Sequence, residues 1–269
     1  MSEENESKLS RRKFLKDATI VTMGGLAAGV MVGCAPTSTE TPVPAPTCPP
    51  ADPCPTPEPL TTLPENWDKE ADIVIVGFGG AGAAAAIEAA NTGAKVTILE
   101  RMKAGGGSTA ICGGLIYMGG GTPLQKACGF EDTRDDMYNY LVSAIGEGAD
   151  TEKIGLFCDK SIELYDWLTG IGLNFKQSFI PGKFPTPPTD DGLVYTGNES
   201  LAEFKAVALD VPRGHHAPAA GSSGAEIFKP LKAAVEAAGV EIAYETLAKK
   251  LVVDLDGRVC GVVVDVAGT

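Results

Sequence analysis

Hydrophobic and polar positions divide the chain into three stretches. Ala18 to Val32 is a run of 15 uncharged residues rich in Gly, Ala and Thr. It is shorter and less apolar than the roughly 20 residues a membrane-spanning helix needs. Ala35 to Pro64 shows neither helical nor strand periodicity and holds 11 of the 19 prolines and 7 threonines. Such a stretch cannot bury a core and predicts an extended spacer. Regular patterning begins near residue 69. Asp72-Ile73-Val74-Ile75-Val76 predicts a buried parallel strand. A helix follows from Ala81 to Thr92 and stops at Gly93. A second strand, Lys95 to Leu99, ends in Glu100.

Further along, Thr133-Arg134-Asp135-Asp136 resembles a capping box. It opens a helix with Met137, Tyr140, Leu141 and Ala144 on one face. One helix is predicted from Thr151 to Thr169, with Ile154, Phe157, Cys158 and Ile162 on its apolar face. Pro181 to Pro188 reads as a loop. Ser223 and Glu226 form a capping box ahead of Ile227, Leu231, Val235 and Ala238, with Pro230 predicting a kink or restart. Val240 to Tyr244 predicts a strand, and Leu251–Leu255 with Val259–Val266 a hairpin about Asp256-Gly257. Strands alternating with helices place the chain in the α/β class.

Composition removes several functions. Of 269 residues 44% are apolar, and 22 basic against 35 acidic residues give a net charge of -13. That balance excludes a collagen-like or wholly disordered chain, and it argues against a nucleic-acid partner. The seven cysteines form no C-x2-C pair and no C-x-x-C-H, so neither a zinc ribbon nor an attached c-type haem is expected. No metal ligand set is predicted.

Arg11-Arg12 precede the short apolar run, and a small-residue end follows it, as in a signal peptide spanning residues 1–34. The paired arginines resemble a twin-arginine signal. Met31-Val32-Gly33-Cys34 resembles a lipoprotein processing site, with Met where Leu is usual. The expectation is export to the periplasmic or extracytoplasmic face, with membrane contact only through the signal or a lipid on Cys34. Residues 35–68 then serve as a linker, in which Cys48 and Cys54 are free to pair in an oxidising compartment. Residues 69–269 carry the chemistry.

The first strand runs into Gly77-Phe78-Gly79-Gly80-Ala81-Gly82, the G-x-G-x-x-G spacing. Gly77 allows the tight turn, Gly79 lets a pyrophosphate approach the backbone, and Gly82 lets helix and strand pack closely. The helix N-terminus offers unpaired N–H groups to the phosphates. Glu100, 18 residues after Gly82, can accept hydrogen bonds from ribose hydroxyls and would repel a 2′-phosphate. This order of parts predicts a dinucleotide, without deciding between NAD and FAD. Gly105-Gly106-Gly107-Ser108-Thr109 and Gly113-Gly114 follow, adding backbone N–H groups and two hydroxyls for the same ligand.

From Val74 to Arg101, and through Gly-Ser-Thr to Gly113-Gly114, the sequence resembles the flavoprotein family of fumarate reductases, succinate dehydrogenases and 3-ketosteroid dehydrogenases. The resemblance covers residues 71–269. It implies a Rossmann-like FAD-binding domain of the glutathione-reductase type, a βαβ unit with an antiparallel hairpin. It implies FAD as cofactor, with Gly79, Gly80, Ala81 and Gly82 around the pyrophosphate and Glu100 on the adenosine ribose. Arg101, Ser108 and Thr109 would lie near the adenosine and phosphates, Gly113 and Gly114 beside the isoalloxazine, and Ala248 against the adenine. The spacing from Ser108 to Gly113, and the run Tyr117 to Pro123, are similar to the ketosteroid dehydrogenase branch.

The implied reaction is reduction of an activated C=C bond or the reverse dehydrogenation. A steroid-like ketone or an unsaturated acid is the implied substrate, with electrons from a separate carrier. The catalytic residues are not identified. His215, His216 and Arg213 are candidates to approach the flavin or a substrate, but read first as a surface loop; Tyr117 is a candidate substrate-side hydroxyl, but reads first as a packed tyrosine; Cys112, beside Gly113, reads as packing. The family's later motifs are expected beyond Thr269, so the chain reads as the N-terminal half of a longer flavoprotein. Two alternatives stand beside this reading: a nucleotide-binding fragment without turnover, and a different flavoprotein oxidase sharing the first βαβ unit.

Overall fold

The computed structural model describes residues 63–267. The expected signal, Cys34 and most of the linker lie outside these residues. The elements run in chain order: β1 (Ile73–Val76), α1 (Gly80–Asn91), β2 (Val96–Leu99), α2 (Gly107–Ile111), β3 (Leu115–Tyr117), α3 (Pro123–Ala127), α4 (Arg134–Ile145), α5 (Thr151–Asp159) and α6 (Ser161–Gly170). Then come β4 (Phe179–Lys183), β5 (Leu193–Tyr195), α7 (Ala202–Lys205), β6 (Gly214–His216), α8 (Gly224–Ala237), β7 (Glu241–Ala243), β8 (Thr246–Val253) and β9 (Val259–Val266).

β1, β2 and β7 form a parallel sheet in the order β1-β2-β7, with Ile75 opposite Ile98 and Ile98 opposite Ile242. A mixed sheet has the order β3-β6-β5-β4, and β8 and β9 form an antiparallel hairpin. The main core gathers Phe78, Ile98, Met118, Leu124 and Leu193 with Ile227, Phe228, Leu231 and Val235 of α8. The ring of Phe228 meets Phe78 edge-on at 5.1 Å, fixing the first glycine loop over α8. A smaller cluster of Met137, Ile154 and Cys158 holds α4 against α5.

Six local expectations are corrected. β1 is not buried: Val76 is 63% exposed, because β1 is an edge strand paired only with β2 among the described residues. The helix expected over 151–169 is two helices meeting at Lys160. The junction turns Ser161 inward, where its hydroxyl donates to Gly119 O and accepts from Gly119 N. Pro181 lies within β4 rather than a loop, on the outer strand of its sheet, where a missing N–H is tolerated. α8 runs unbroken through Pro230. The hairpin strand begins at Thr246, earlier than expected, and ends at Val253. Ser223 precedes α8 but makes no side-chain cap, because its hydroxyl is taken by His216. Thr133, by contrast, caps α4 as expected, accepting from Asp136 N.

Candidate functional site

The end of β1 builds a cradle from two glycine loops. Gly77 has φ +98°, a left-handed conformation that turns the chain out of β1 into α1. A Cβ on Gly82 would lie 2.0 Å from Gly77 O, so only glycine lets α1 start this close to the strand. The second loop closes from the other side. Gly106 N donates to Phe78 O at 2.6 Å, Gly79 bridges to Gly106, and Gly80 N donates to Thr109 Oγ1 at 3.0 Å.

α1 opens on Gly79 with no side-chain cap and no acid in its first turn. Among the described residues the N–H groups of Ala81 and Gly82 have no partner. Twelve aligned peptide dipoles therefore end in an uncapped, positive N-terminus, which suits a phosphate anion. Ala81, Gly107 and Ser108 are exposed beside it.

Glu100 closes the cradle at the end of β2. Its carboxylate is buried, yet both oxygens are occupied: Oε2 accepts from Phe78 N and Oε1 from Met102 N, each at 2.8 Å. These two bonds fix the carboxylate plane beside the first loop. Each oxygen keeps a second lone-pair site for a ribose hydroxyl. Backbone bonds from Glu100 N to Ala243 O, and from Thr246 N to Glu100 O, join this corner to β8. Ala248 is half-buried on β8 and pairs with Val264. Arg101 is exposed.

Gly113 and Gly114 are braced by residues to which the sequence pattern gave other roles or none. Ser223 N donates to Gly113 O at 3.4 Å, Ala217 N to Gly114 O at 3.0 Å, and Gly224 N to Cys112 O at 3.1 Å. A Cβ on Gly114, at φ +81°, would fall 1.9 Å from Ser223 Oγ. Ser223 Oγ in turn lies 2.9 Å from His216 Nε2. The spacing of a capping box concealed this role, because the helix start was also a plausible use for the hydroxyl.

The polar residues weighed for catalysis have other work. His215 and His216 are not on a surface loop; both are fully buried in β6. His215 Nε2 lies 2.8 Å from Thr122 Oγ1 and Nδ1 3.1 Å from Arg213 O. Burial pushes its pKa down to about 4, so the ring is neutral near pH 7. Arg213 is likewise buried rather than exposed, with Nε and Nη2 gripping Asp132 at 2.9 and 2.7 Å. Asp132 also accepts from Gly120 N and Gln125 Nε2. Burial lifts the Tyr117 phenol far above its ordinary range, which keeps it protonated. Cys112 Sγ donates to Thr109 O at 3.2 Å and accepts from Gly114 N at 3.4 Å, so the thiol is tied to the backbone of the second glycine loop rather than merely packed.

The cradle fits an elongated, phosphate-bearing ligand with a ribose at the Glu100 end. Comparison with known proteins decides which. The model of the FAD binding domain family matches residues 72–268. The chain belongs to that family, and its cofactor is FAD. A crystal structure of 3-ketosteroid-Δ4-(5α)-dehydrogenase from Rhodococcus jostii, in complex with 4-androstene-3,17-dione, superposes with a TM-score of 0.75 at 45% identity. The match covers 80% of this chain and 45% of that one. The 3-oxo-5-alpha-steroid 4-dehydrogenase of Comamonas testosteroni is 35% identical over 201 residues, covering 73% of this chain and 37% of its own length. The digoxin reductase of Eggerthella lenta is 34% identical over 185 residues, covering 68% and 31%. The FAD-binding chain thus spans about a third of the curated relatives it matches.

Among the described residues of this FAD-binding chain, no helix is long and apolar enough to cross a membrane. No group of three or more His, Cys, Asp or Glu residues among them is placed to hold a metal ion.

Proposed function

We propose that this chain is the cofactor-binding part of an exported FAD-dependent oxidoreductase acting on a CH–CH bond, with a steroid-like ketone as substrate. The observation that carries the substrate class is the 45% identity to a ketosteroid dehydrogenase over most of this chain. Bound FAD would supply the hydride acceptor or donor. The chain's own residues bind and orient it. The uncapped start of α1 takes the pyrophosphate, with Gly79, Gly80, Ala81 and Gly82 as backbone lining. Glu100 orients the ribose, with Arg101, Ser108 and Thr109 beside the adenosine and phosphates and Ala248 beside the adenine. Gly113 and Gly114 leave bare backbone for the flavin ring, held in place by Ser223. The substrate-side acid or base is not among the buried histidines, which are committed to the scaffold.

The test is anaerobic. The flavin of the whole oxidoreductase, of which this chain is the cofactor-binding part, is reduced, and either a 3-oxo-4-ene steroid or an unsaturated carboxylate is added. Reoxidation by the steroid is the expected result. Reoxidation by the acid alone overturns the substrate class, and no reoxidation by either overturns the reaction.

Export rests on Arg11-Arg12, the following apolar run and Cys34. Replacing both arginines with Lys should block secretion, and labelled fatty acid should be incorporated at Cys34. Unchanged secretion contradicts the twin-arginine route. A separate electron carrier on the far side of the membrane completes the proposed reaction.

A further inference from the structure

We infer that His216 is a positioning residue for the flavin, acting through the Ser223 hydroxyl on the Gly113–Gly114 backbone. The inference rests on the proposed placement of those two glycines beside the flavin ring. His216 is fully buried in β6, so it works through a neighbour rather than by contact. Its ring is held on both edges. Nδ1 lies 3.3 Å from Asp191 O, and Nε2 lies 2.9 Å from Ser223 Oγ and 3.2 Å from Gly221 O. The backbone around the ring is tied down as well. His216 N donates to Gly192 O and Gly221 N to Pro187 O, each at 2.8 Å. The ring therefore fixes where the Ser223 hydroxyl sits. A hydroxyl donates or accepts, so this bond holds in either tautomer of the imidazole.

Ser223 has a competing use for that hydroxyl. It stands at the N-cap of α8 with Glu226 three residues on, the pattern of a capping box. Serine is among the preferred N-caps. Its side chain nevertheless makes no cap, and Glu226 N donates to the Ser223 backbone carbonyl instead. Local preference and observed bonding disagree here, and such conflicts gather at functional sites.

What the chain gains lies at Gly114. The hydroxyl presses so closely on Gly114, itself at φ +81°, that a Cβ there would fall 1.9 Å from Ser223 Oγ. The backbone repeats the link: Ser223 N donates to Gly113 O at 3.4 Å, and Ala217 N, next to His216, donates to Gly114 O at 3.0 Å. His216, Ser223 and Gly114 thus form one contiguous line from the mixed sheet to the flavin shelf. A shelf of bare backbone acts on a flavin through the position and direction of its peptide groups. A Ser223 hydroxyl released to cap α8 no longer holds that shelf, and the relative affinity for oxidised and reduced flavin changes with it.

The test uses the whole flavin-loaded protein and reads the midpoint potential of the flavin, with denaturant unfolding measured beside it. Ser223→Ala removes the hydroxyl alone. His216→Phe keeps a ring without nitrogens, and His216→Gln keeps a polar atom at the reach of Nε2. Ser223→Ala and His216→Phe should each change the ratio of affinities for reduced and oxidised FAD at least tenfold in the same direction, about 30 mV in a two-electron potential. The double variant should shift no further than Ser223→Ala, since His216 acts through that hydroxyl. His216→Gln should keep the parental potential. The inference is overturned by an unshifted potential in Ser223→Ala, by additive shifts in the double variant, or by a shift in His216→Gln as large as in His216→Phe. Lost stability with an unshifted potential makes the contact structural only. A parent protein that binds no FAD overturns the placement of the flavin itself, whereas a parent that binds it beside an unshifted Ser223→Ala overturns the role of His216 alone.

Discussion

Phe78 and Glu100 stand 22 residues apart and are joined by one hydrogen bond, from the Phe78 N–H to Glu100 Oε2 at 2.8 Å. The bond clamps the first glycine loop to the end of β2. It couples the acid proposed to orient the ribose to the loop proposed to take the phosphates. Glu100→Gln turns one of the two carboxylate acceptors into a donor facing a backbone N–H. Hydrogen bonds to charged groups contribute about 1.5–3 kcal/mol each, so a loss of about 2 kcal/mol in stability is expected, with FAD affinity at least tenfold weaker. Denaturant unfolding and FAD titration measure the two effects. A variant as stable as the parent, binding FAD equally well, removes Glu100 from the site.

Gly82 and Gly80 should respond differently to the same substitution. At Gly82 the added Cβ meets backbone, Gly77 O at 2.0 Å. At Gly80 it meets the Thr109 side chain at 2.7 Å, which can rotate away. Gly82→Ala should abolish FAD binding and cost about 1–3 kcal/mol of overpacking strain. Gly80→Ala should keep the fold and weaken FAD severalfold, because Thr109 leaves the Gly80 N–H. Equal losses in the two variants contradict the close-approach account.

The Arg213–Asp132 pair is fully buried on both sides. Arg213→Met strands a buried carboxylate, and losses of about 3–5 kcal/mol follow when one partner of such a pair is removed. Adding Asp132→Leu to Arg213→Met should recover part of that loss, since the stranded charge goes with it. Chemical denaturation of the two single variants and the double variant is the check. Strictly additive losses contradict coupling.

His215 sets part of the acid sensitivity. Its pKa drops from an ordinary 6.5 to about 4 in the folded chain, chiefly through burial. Below pH 6.5 the unfolded chain takes up a proton that folded His215 refuses, so unfolding gains. The contribution is complete above pH 6.5 and is lost as pH falls towards 4, to a total of about 3 kcal/mol. His215→Gln should flatten the stability profile between pH 6.5 and 4. An unchanged slope assigns the acid sensitivity to other groups.

What the sequence made legible was local. The β1–α1–β2 unit depends on glycines and an acid within a short window, and each acts through backbone geometry. The burial of Arg213, His215 and His216 was hidden, because β6, which begins just after Arg213, is only three residues long and holds no apolar side chain. Its place inside the mixed sheet comes from strands far away in sequence. Ser223 was assigned to a helix cap by a correct pattern whose hydroxyl found a better partner in His216. The exposure of β1 was equally hidden: β-branched residues report a strand, not which strand lies beside it. The split at Lys160 follows from the contact of Ser161 with Gly119, 42 residues earlier.

The account stands on the glycine cradle holding FAD, and the most direct measurement is the absorbance spectrum of the purified protein. Flavin bands should be present as isolated or appear on adding FAD, and they should be lost in Gly82→Ala. A protein that shows no flavin bands and binds no added FAD, or a Gly82→Ala variant that binds it normally, contradicts the account.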